Sequence, residues 1–227
     1  MERTDLLPTG PDAGKHGVLA APAYGLTKGD IRRLFKDRVQ GADRGGGVNR
    51  GDHELNPGMM PLSELRAASV LVPLVDRPEG FSILLTQRTA HLTRHAGQIA
   101  FPGGRADDGD VDEIATALRE TEEEIGLGRD HIETIGRLDR YVTRTGFTVT
   151  PIVALVHPPF ALTIAPNEVD EAFEVPLDFI LDPANRQKDS YDFQGVTRYF
   201  YVFRYGHRNI WGATAGMLVN LAEIFTS

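Results

Sequence analysis

Residues 119–127 are the segment that most constrains this chain, because four of their nine side chains are glutamates. Read as a helix, the segment brings Glu120, Glu123 and Glu124 to one side, since residues three and four positions apart are neighbours at 3.6 residues per turn. Like charges at this spacing destabilise an isolated helix. A bound divalent cation reverses that effect, because Mg²⁺ prefers oxygen ligands and is usually held by a few carboxylates together with substrate phosphates. The segment therefore predicts a helix that serves as a metal platform.

The residues before this segment predict how the helix is positioned. A short strand from Ile99 is stopped by Pro102 and the pair Gly103-Gly104, and a polar loop follows. Asp110 with Glu113 three residues later resembles a capping box, which predicts a helix over residues 111–125. Gly126 is the residue type that ends a helix at positive φ. The apolar stripe of this helix consists of Ile114, Leu118, Thr121 and Ile125.

The rest of the chain reads as short strands interrupted by helices. Apolar runs at 70–75 and 81–86 flank a turn, which indicates an adjacent strand pair. Further strands are predicted at 132–138, 148–156, 161–164 and 198–205, a loop or helical turn at 167–173, a short helix from Val175, and a last helix over 212–225. This order predicts an α+β fold or an α/β/α sandwich with a mixed sheet.

The first sixty residues differ from the remainder in composition. They contain many glycines and prolines, and one short helix is predicted after Thr27, its candidate cap. We therefore predict an N-terminal extension over residues 1–60, partly irregular, and one organised domain over residues 61–227 that begins near Leu62.

Composition excludes several classes of function. The net charge of −8 disfavours a binder of nucleic-acid backbones, which usually carries a basic surface. The absence of cysteine excludes a thiol nucleophile, a disulfide framework and a cysteine-ligated zinc. No apolar run approaches the length that spans a bilayer, and no secretory signal is recognisable. A soluble cytoplasmic protein without nucleic-acid or membrane partners is the expectation.

A family resemblance rests on Gly104, the acidic residue at 110 and residues 119–127. Together they resemble the signature of the Nudix hydrolases, in which a glycine and an acidic residue precede Arg-Glu-x-x-Glu-Glu-x-Gly. The chain departs from that signature in three ways: Asp110 replaces a glutamate, one extra residue precedes Arg119, and Thr121 replaces a bulky apolar residue. The half of the signature that carries the glutamates is intact.

Two further segments resemble one branch of this family. Residues 84–104 are similar to the extra motif of the coenzyme A pyrophosphatases, and residues 210–216 are similar to another segment of that branch. The resemblance implies a Nudix-type α/β/α sandwich with a loop-helix-loop metal site. It also implies hydrolysis of the pyrophosphate linkage of coenzyme A or its acyl derivatives with Mg²⁺ or Mn²⁺, giving 3′,5′-ADP and (acyl-)4′-phosphopantetheine.

The resemblance also implies roles for individual residues. Glu120 and Glu124 would be the primary metal ligands and Glu123 an additional ligand or water-mediated partner. Arg119 would orient one of these carboxylates through a bidentate hydrogen bond, which lysine copies poorly. The general base would come from the loop at 167–171, with Glu168 as the candidate. The remaining expected substrate contacts are Arg88, His95, Gln98, Gly103 and Gly104, although spacing alone would make the basic residues ordinary surface groups.

Two alternatives stay open. A Nudix pyrophosphatase for ADP-ribose or for a dinucleotide such as NADH would share the metal helix and differ in what holds the far end of its substrate. A non-catalytic Nudix module that senses a nucleotide is disfavoured, because such modules usually lose the glutamates that this chain retains. Either way the expected partner is a small molecule, and the expected assembly is a monomer or a homodimer.

Overall fold

The computed structural model describes residues 25–38, 50–59, 64–91 and 96–227. The helices are α1 (Lys28–Phe35), α2 (Glu113–Ile125), α3 (Leu177–Leu181) and α4 (Gly212–Thr226), with short 3-10 turns at Lys36–Arg38, Arg129–His131 and Pro183–Asn185. The strands are β1 (Arg50–Gly51), β2 (Arg66–Arg77), β3 (Gly80–Arg88), β4 (Ile99–Ala100), β5 (Gly103–Arg105), β6 (Ile132–Arg137), β7 (Tyr141–Val142), β8 (Phe147–Val156), β9 (Val169–Pro176), β10 (Gln187–Phe193), β11 (Val196–Tyr205) and β12 (Arg208–Trp211).

A mixed sheet forms the centre of the fold. Its main path runs β1-β7-β8-β2-β3-β4, while β5 also pairs with β2, β6 with β8 and β9 with β3. Strands β2 and β8 are parallel, whereas β2 and β3 form an antiparallel pair joined by a tight turn. Strands β10 to β12 form a separate antiparallel sheet.

Helices cover both faces of the mixed sheet, because successive side chains of a strand point to opposite faces. On one face, Leu71 of β2 and Ile152 of β8 pack with Ala117 of α2. On the other face, Val72 belongs to the large core cluster that also contains Leu218 of α4. The predicted α/β/α sandwich with a mixed sheet is therefore confirmed.

Helix α2 begins two residues later than its predicted start. Its N-cap is Asp112, whose side chain accepts a hydrogen bond from the amide of Ala115. The predicted capping box of Asp110 with Glu113 is wrong, because the Asp110 carboxylate bonds Arg119 instead. The predicted end is confirmed: Gly126 has φ of +65° and donates its N–H to the carbonyl of Glu122.

Two secondary-structure predictions downstream of α2 are wrong. Residues 161–164 form no strand, because the amides of Thr163 and Ala165 bond carbonyls at the end of α2 rather than a neighbouring strand. Residues 167–173, predicted as a loop or helical turn, contain the start of β9, which pairs with β3. The acidic residues of β9 concealed it in the sequence, and they are tolerated because Arg77 bonds Glu174 and Arg208 bonds Glu171.

The other predicted elements are confirmed within a few residues at each end. These are the strand pair β2 and β3, the strands β4, β6, β8 and β11, the short helix α3 and the last helix α4. Among the described residues, no helix combines the length and the apolar composition needed to cross a membrane.

Part of the predicted N-terminal extension packs into the same core as the sheet. Thr27 caps α1, as predicted, and it also forms a capping box with Asp30. Ile31 and Phe35 of α1 are 0% exposed and belong to the large core cluster. Strand β1 pairs in parallel with β7. Ordered structure therefore includes residues upstream of Leu62.

Changing Phe35 to alanine is expected to lower the free energy of unfolding by about 3–5 kcal/mol, since it removes a fully buried aromatic side chain. The Phe35 ring packs edge to face on Phe225 of α4, with ring centroids 6.1 Å apart, so the change opens a cavity between two elements. Urea denaturation measures the effect. Arg33→Ala is the control on the same helix, because this side chain is 77% exposed. A loss below about 1 kcal/mol would show that α1 is not part of the stable core.

Candidate functional site

The three glutamates of α2 face different environments, although they share one side of the helix. Glu124 is only 2% exposed, Glu120 is half-buried, and the Glu123 side chain is 60% exposed. Burial is the main cause that raises the pKa of Glu124 to about 7, and it also raises the pKa of Glu120. Ionising either carboxylate therefore costs free energy in the folded protein, and a nearby cation would lower that cost.

The Gly103-Gly104 backbone passes directly beside the two buried carboxylates. The N–H of Gly103 donates to Oε2 of Glu124 at 3.2 Å. A side-chain carbon at Gly104 would lie 2.5 Å from the carboxyl carbon of Glu120. Gly103 has φ of +147°, a conformation that glycine adopts readily. The glycine pair therefore makes room for the carboxylates.

Arg119 forms its bidentate hydrogen bond with Asp110, not with a helix glutamate as predicted. Its Nε and Nη2 donate to the two Asp110 oxygens, each at 2.9 Å. Two nitrogens of the planar guanidinium thus pair with the Asp110 carboxylate. Glu120 and Glu123 both accept hydrogen bonds from the third nitrogen, Nη1, at 3.0 and 3.1 Å. The hydrogen bonds from Arg119 hold the pKa of Asp110 well below its usual range. Arg119 thus fixes the loop before α2 to both glutamates.

Asp110 is the site residue whose role sequence reasoning missed. Its Oδ2 also accepts a hydrogen bond from the hydroxyl of Thr116 at 2.9 Å. The acidic position in the family signature was the one signal that pointed to it. Its hydrogen bonds could not be read from the sequence, because Asp110 also suited a helix cap.

Arg88, at the end of β3, contacts the buried glutamate. Its Nη1 donates to Oε1 of Glu124 at 3.1 Å, and its charge opposes the effect of burial on the pKa of that carboxyl group. Gln98 lies next to it, because its carbonyl accepts the amide of Arg88 at 2.9 Å. His95 lies outside the described residues. Arg88, one of the three polar side chains predicted in this motif, thus contacts Glu124 directly.

Glu168 lies in the turn that precedes β9, with its side chain exposed. Its amide bonds the carbonyl of Ala165, and its carbonyl accepts the amide of Thr89. The negative charge of Glu168 contributes to raising the pKa of both Glu120 and Glu124. The fold therefore brings this distant loop acid within electrostatic reach of the helix carboxylates.

The donor chemistry of these residues fits a divalent cation. Among the described residues, no group of three or more Asp, Glu or His side chains is placed to hold a metal ion, and the Glu120 and Glu124 carboxylates are hydrogen-bonded by Arg119, Arg88 and the Gly103 amide. Carboxylate oxygens are nevertheless the ligands that Mg²⁺ and Mn²⁺ prefer. The negative charges of Glu120, Glu124 and Glu168 repel one another, and a bound cation would relieve that repulsion. Gly104 carries no side chain that would crowd the Glu120 carboxylate.

A family model, the NUDIX domain, matches residues 65–194, which contain the glycine pair, α2 and Glu168. The chain belongs to the Nudix family. It is 41% identical over 157 residues to the uncharacterized Nudix hydrolase NudL of Escherichia fergusonii, an alignment covering 69% of this chain and 81% of the relative. It is 40% identical over 177 residues to the NudL of Photorhabdus laumondii, covering 78% and 94%.

A solved structure agrees with the fold. The Nudix hydrolase RenU of Mycobacterium smegmatis aligns with a TM-score of 0.50 at 18% identity, covering 73% of this chain and 88% of that one.

The family match and the NudL relatives, not this fold comparison, carry the conclusion on activity. The protein is a Nudix pyrophosphohydrolase that acts on nucleoside diphosphate derivatives, and enzymes of this family generally use divalent metal ions.

Proposed function

We propose that this Nudix hydrolase cleaves the pyrophosphate linkage of coenzyme A or its acyl derivatives, giving 3′,5′-ADP and (acyl-)4′-phosphopantetheine. The observation that supports this choice is the bond from Arg88 to Glu124. Arg88 belongs to the segment 84–104 that resembles the coenzyme A pyrophosphatase branch, and Glu124 belongs to the metal helix. The branch-like motif thus lies at the carboxylates, where a branch-specific segment would contact substrate.

The roles of the carboxylates follow from their positions. Glu120 and Glu124 would hold Mg²⁺ or Mn²⁺, and Glu123, which is more exposed, would add a ligand directly or through water. Such a cation, when bound, supplies Lewis-acid stabilisation of the charge that develops on the phosphate oxygens. Arg119 keeps Glu120 and Glu123 oriented through Nη1 while its other nitrogens anchor it to Asp110.

Glu168 is proposed as the general base. Its exposed carboxylate can accept a proton from the attacking water at Oε1 or Oε2, and it lies within electrostatic reach of the two buried glutamates. Arg88, His95 and Gln98 are proposed as contacts to the substrate phosphates or the adenine. The Gly103-Gly104 backbone lets the same substrate approach the carboxylates without a side chain between them.

The alternative within the family is a pyrophosphatase for ADP-ribose or for a dinucleotide such as NADH, which the same carboxylates would serve. A non-catalytic sensing module is less well supported, because Glu120, Glu123, Glu124 and Glu168 are all present. The assembly is proposed to be a monomer or a homodimer.

One assay separates these substrates. The full chain is incubated with Mg²⁺ or Mn²⁺ and an equimolar mixture of coenzyme A, ADP-ribose and NADH, and the products are identified by mass spectrometry. We expect 4′-phosphopantetheine and 3′,5′-ADP in equal amounts, because cleavage at the pyrophosphate yields both. If AMP and ribose 5-phosphate appeared without 4′-phosphopantetheine, the substrate would be ADP-ribose and not coenzyme A.

A further inference from the structure

A cleft lies at the N-terminal end of α2, on the same side of the sheet as that helix. This cleft has a volume of about 490 Å³. Its floor contains Ser69 of β2 and Thr148 and Thr150 of β8, which share one sheet face because Ser69 is the register partner of Thr150. Further along the same face, Leu71 and Ile152 are covered by α2. The cleft is the part of this face that α2 leaves uncovered.

The floor of the cleft carries the hydroxyl groups of Ser69, Thr148 and Thr150. Ser69 is 1% exposed and Thr150 is 3% exposed, yet in the described part of the chain only Arg198 Nε and Arg208 Nε are buried side-chain atoms without a partner. A ligand with both donors and acceptors could hydrogen-bond these hydroxyls, since a hydroxyl can act in either role.

The described charged residues that line the cleft offer no unpaired cation to an anionic ligand. Three of the charged residues lining it are acidic, Asp110, Asp112 and Glu113, and the fourth, Arg140, donates to Glu113 at 3.2 Å. The floor and wall also include small apolar side chains, Ala67 and Ala106 among them. The surface is therefore suited to a neutral chain that carries amides or hydroxyls together with methyl groups.

The cleft adjoins the carboxylates of α2 through two connections. Asp110 lines the cleft and is bonded to Arg119, which in turn bonds Glu120. Ser69 pairs across the sheet with Gly104, which lies against the Glu120 carboxylate. A substrate whose pyrophosphate lies at the carboxylates would therefore extend one of its two arms into the cleft.

We infer that the cleft is a subsite for the pantetheine arm of the substrate, held by the hydroxyls of Ser69, Thr148 and Thr150. Because this arm belongs to the substrate proposed above, the assignment rests on that proposed function. The two arms of coenzyme A differ in charge: 3′,5′-ADP is strongly anionic, whereas pantetheine is neutral and carries two amides, a hydroxyl and two methyl groups. The cleft therefore suits the neutral arm, and the anionic arm is left to the side of the site where Arg88 lies.

The test uses each arm alone as a probe of the full chain. Pantetheine is added to protein with labelled alanine methyl groups, and we expect the methyl signals of Ala67 and Ala106 to shift. In the double variant Ser69→Ala/Thr150→Val, the KM for coenzyme A and the inhibition constant for pantetheine should each rise on the order of tenfold, from the loss of two hydrogen bonds. The inhibition constant for 3′,5′-ADP should stay within about twofold of the wild-type value, since that arm binds elsewhere.

Thr134→Val is the matched control, because Thr134 lies on β6 and does not line the cleft. Circular dichroism verifies that the double variant folds, and the single variant Thr148→Val replaces it if it does not. Coenzyme A turnover without a pantetheine-induced shift, or with equal changes in both inhibition constants, would overturn the subsite and leave the proposed function standing. A pantetheine-induced shift in an enzyme that does not cleave coenzyme A would retain the cleft as a ligand site and overturn the proposed function.

Discussion

The variant Glu124→Gln is expected to lose at least about 10³-fold in kcat, because it removes one of the two buried carboxylates proposed to hold the cation that stabilises the transition state. Glutamine has nearly the same size as glutamate. Its side-chain oxygen can still accept the hydrogen bond from the Gly103 amide or from Arg88. The substitution therefore removes charge while the local packing is preserved.

The stability of this variant should not fall. Burial raises the pKa of Glu124 to about 7, so the ionised carboxylate is disfavoured in the fold when no cation is present. Replacing it by a neutral amide removes that penalty above pH 7. Thermal unfolding without added metal should give a melting temperature equal to or above that of the wild type, and calorimetric titration with Mn²⁺ should show weaker binding.

Glu122→Gln is the matched control for this experiment. Glu122 is two residues away on the same helix, but its side chain is exposed and pairs with Arg129. Its kcat should stay within about twofold of wild type, because a surface ion pair contributes little. Near-full activity of Glu124→Gln, with the control unchanged, would contradict the metal role of Glu124.

The variant Gly104→Ala is expected to lose on the order of 10²-fold in kcat/KM while it unfolds near the wild-type temperature, because misplacing a catalytic group by about 1 Å can cost that much. The added methyl carbon would lie 2.5 Å from the carboxyl carbon of Glu120, closer than contact distance. The carboxylate is the far end of a flexible side chain, so it can move aside at low cost to stability. Moving it displaces a proposed metal ligand.

Gly109→Ala is the control, because Gly109 lies in the loop that follows β5 and has nothing within 4 Å of an added methyl carbon. Steady-state kinetics and thermal unfolding on both variants separate the two effects. If Gly104→Ala lost activity only in proportion to a large loss of folded protein, the glycine would be required for the turn and not for the position of Glu120.

The sequence predicted the parts of this protein that depend on local periodicity and residue type. The glutamates of α2, its end at Gly126 and the approach of a glycine pair were all readable, because helical spacing and the absence of a side chain are local properties. The family was also readable, since residues 84–104 and 119–127 carry their pattern in the chain itself. The match of the NUDIX domain to residues 65–194 confirms it.

The tertiary structure decided which polar groups meet. Arg119 forms its bidentate pair with Asp110 rather than with a helix glutamate. Arg88 donates to Glu124, which is 36 positions away in the sequence. The sequence predicts a loop or helical turn at β9 and a strand at residues 161–164, and both predictions are wrong. The amides and charged groups of these segments have their partners in distant elements, which local sequence does not reveal. Local spacing fixes which side chains share a helix face, but a hydrogen bond between distant residues depends on how strands and helices pack, and that information is spread over the whole chain.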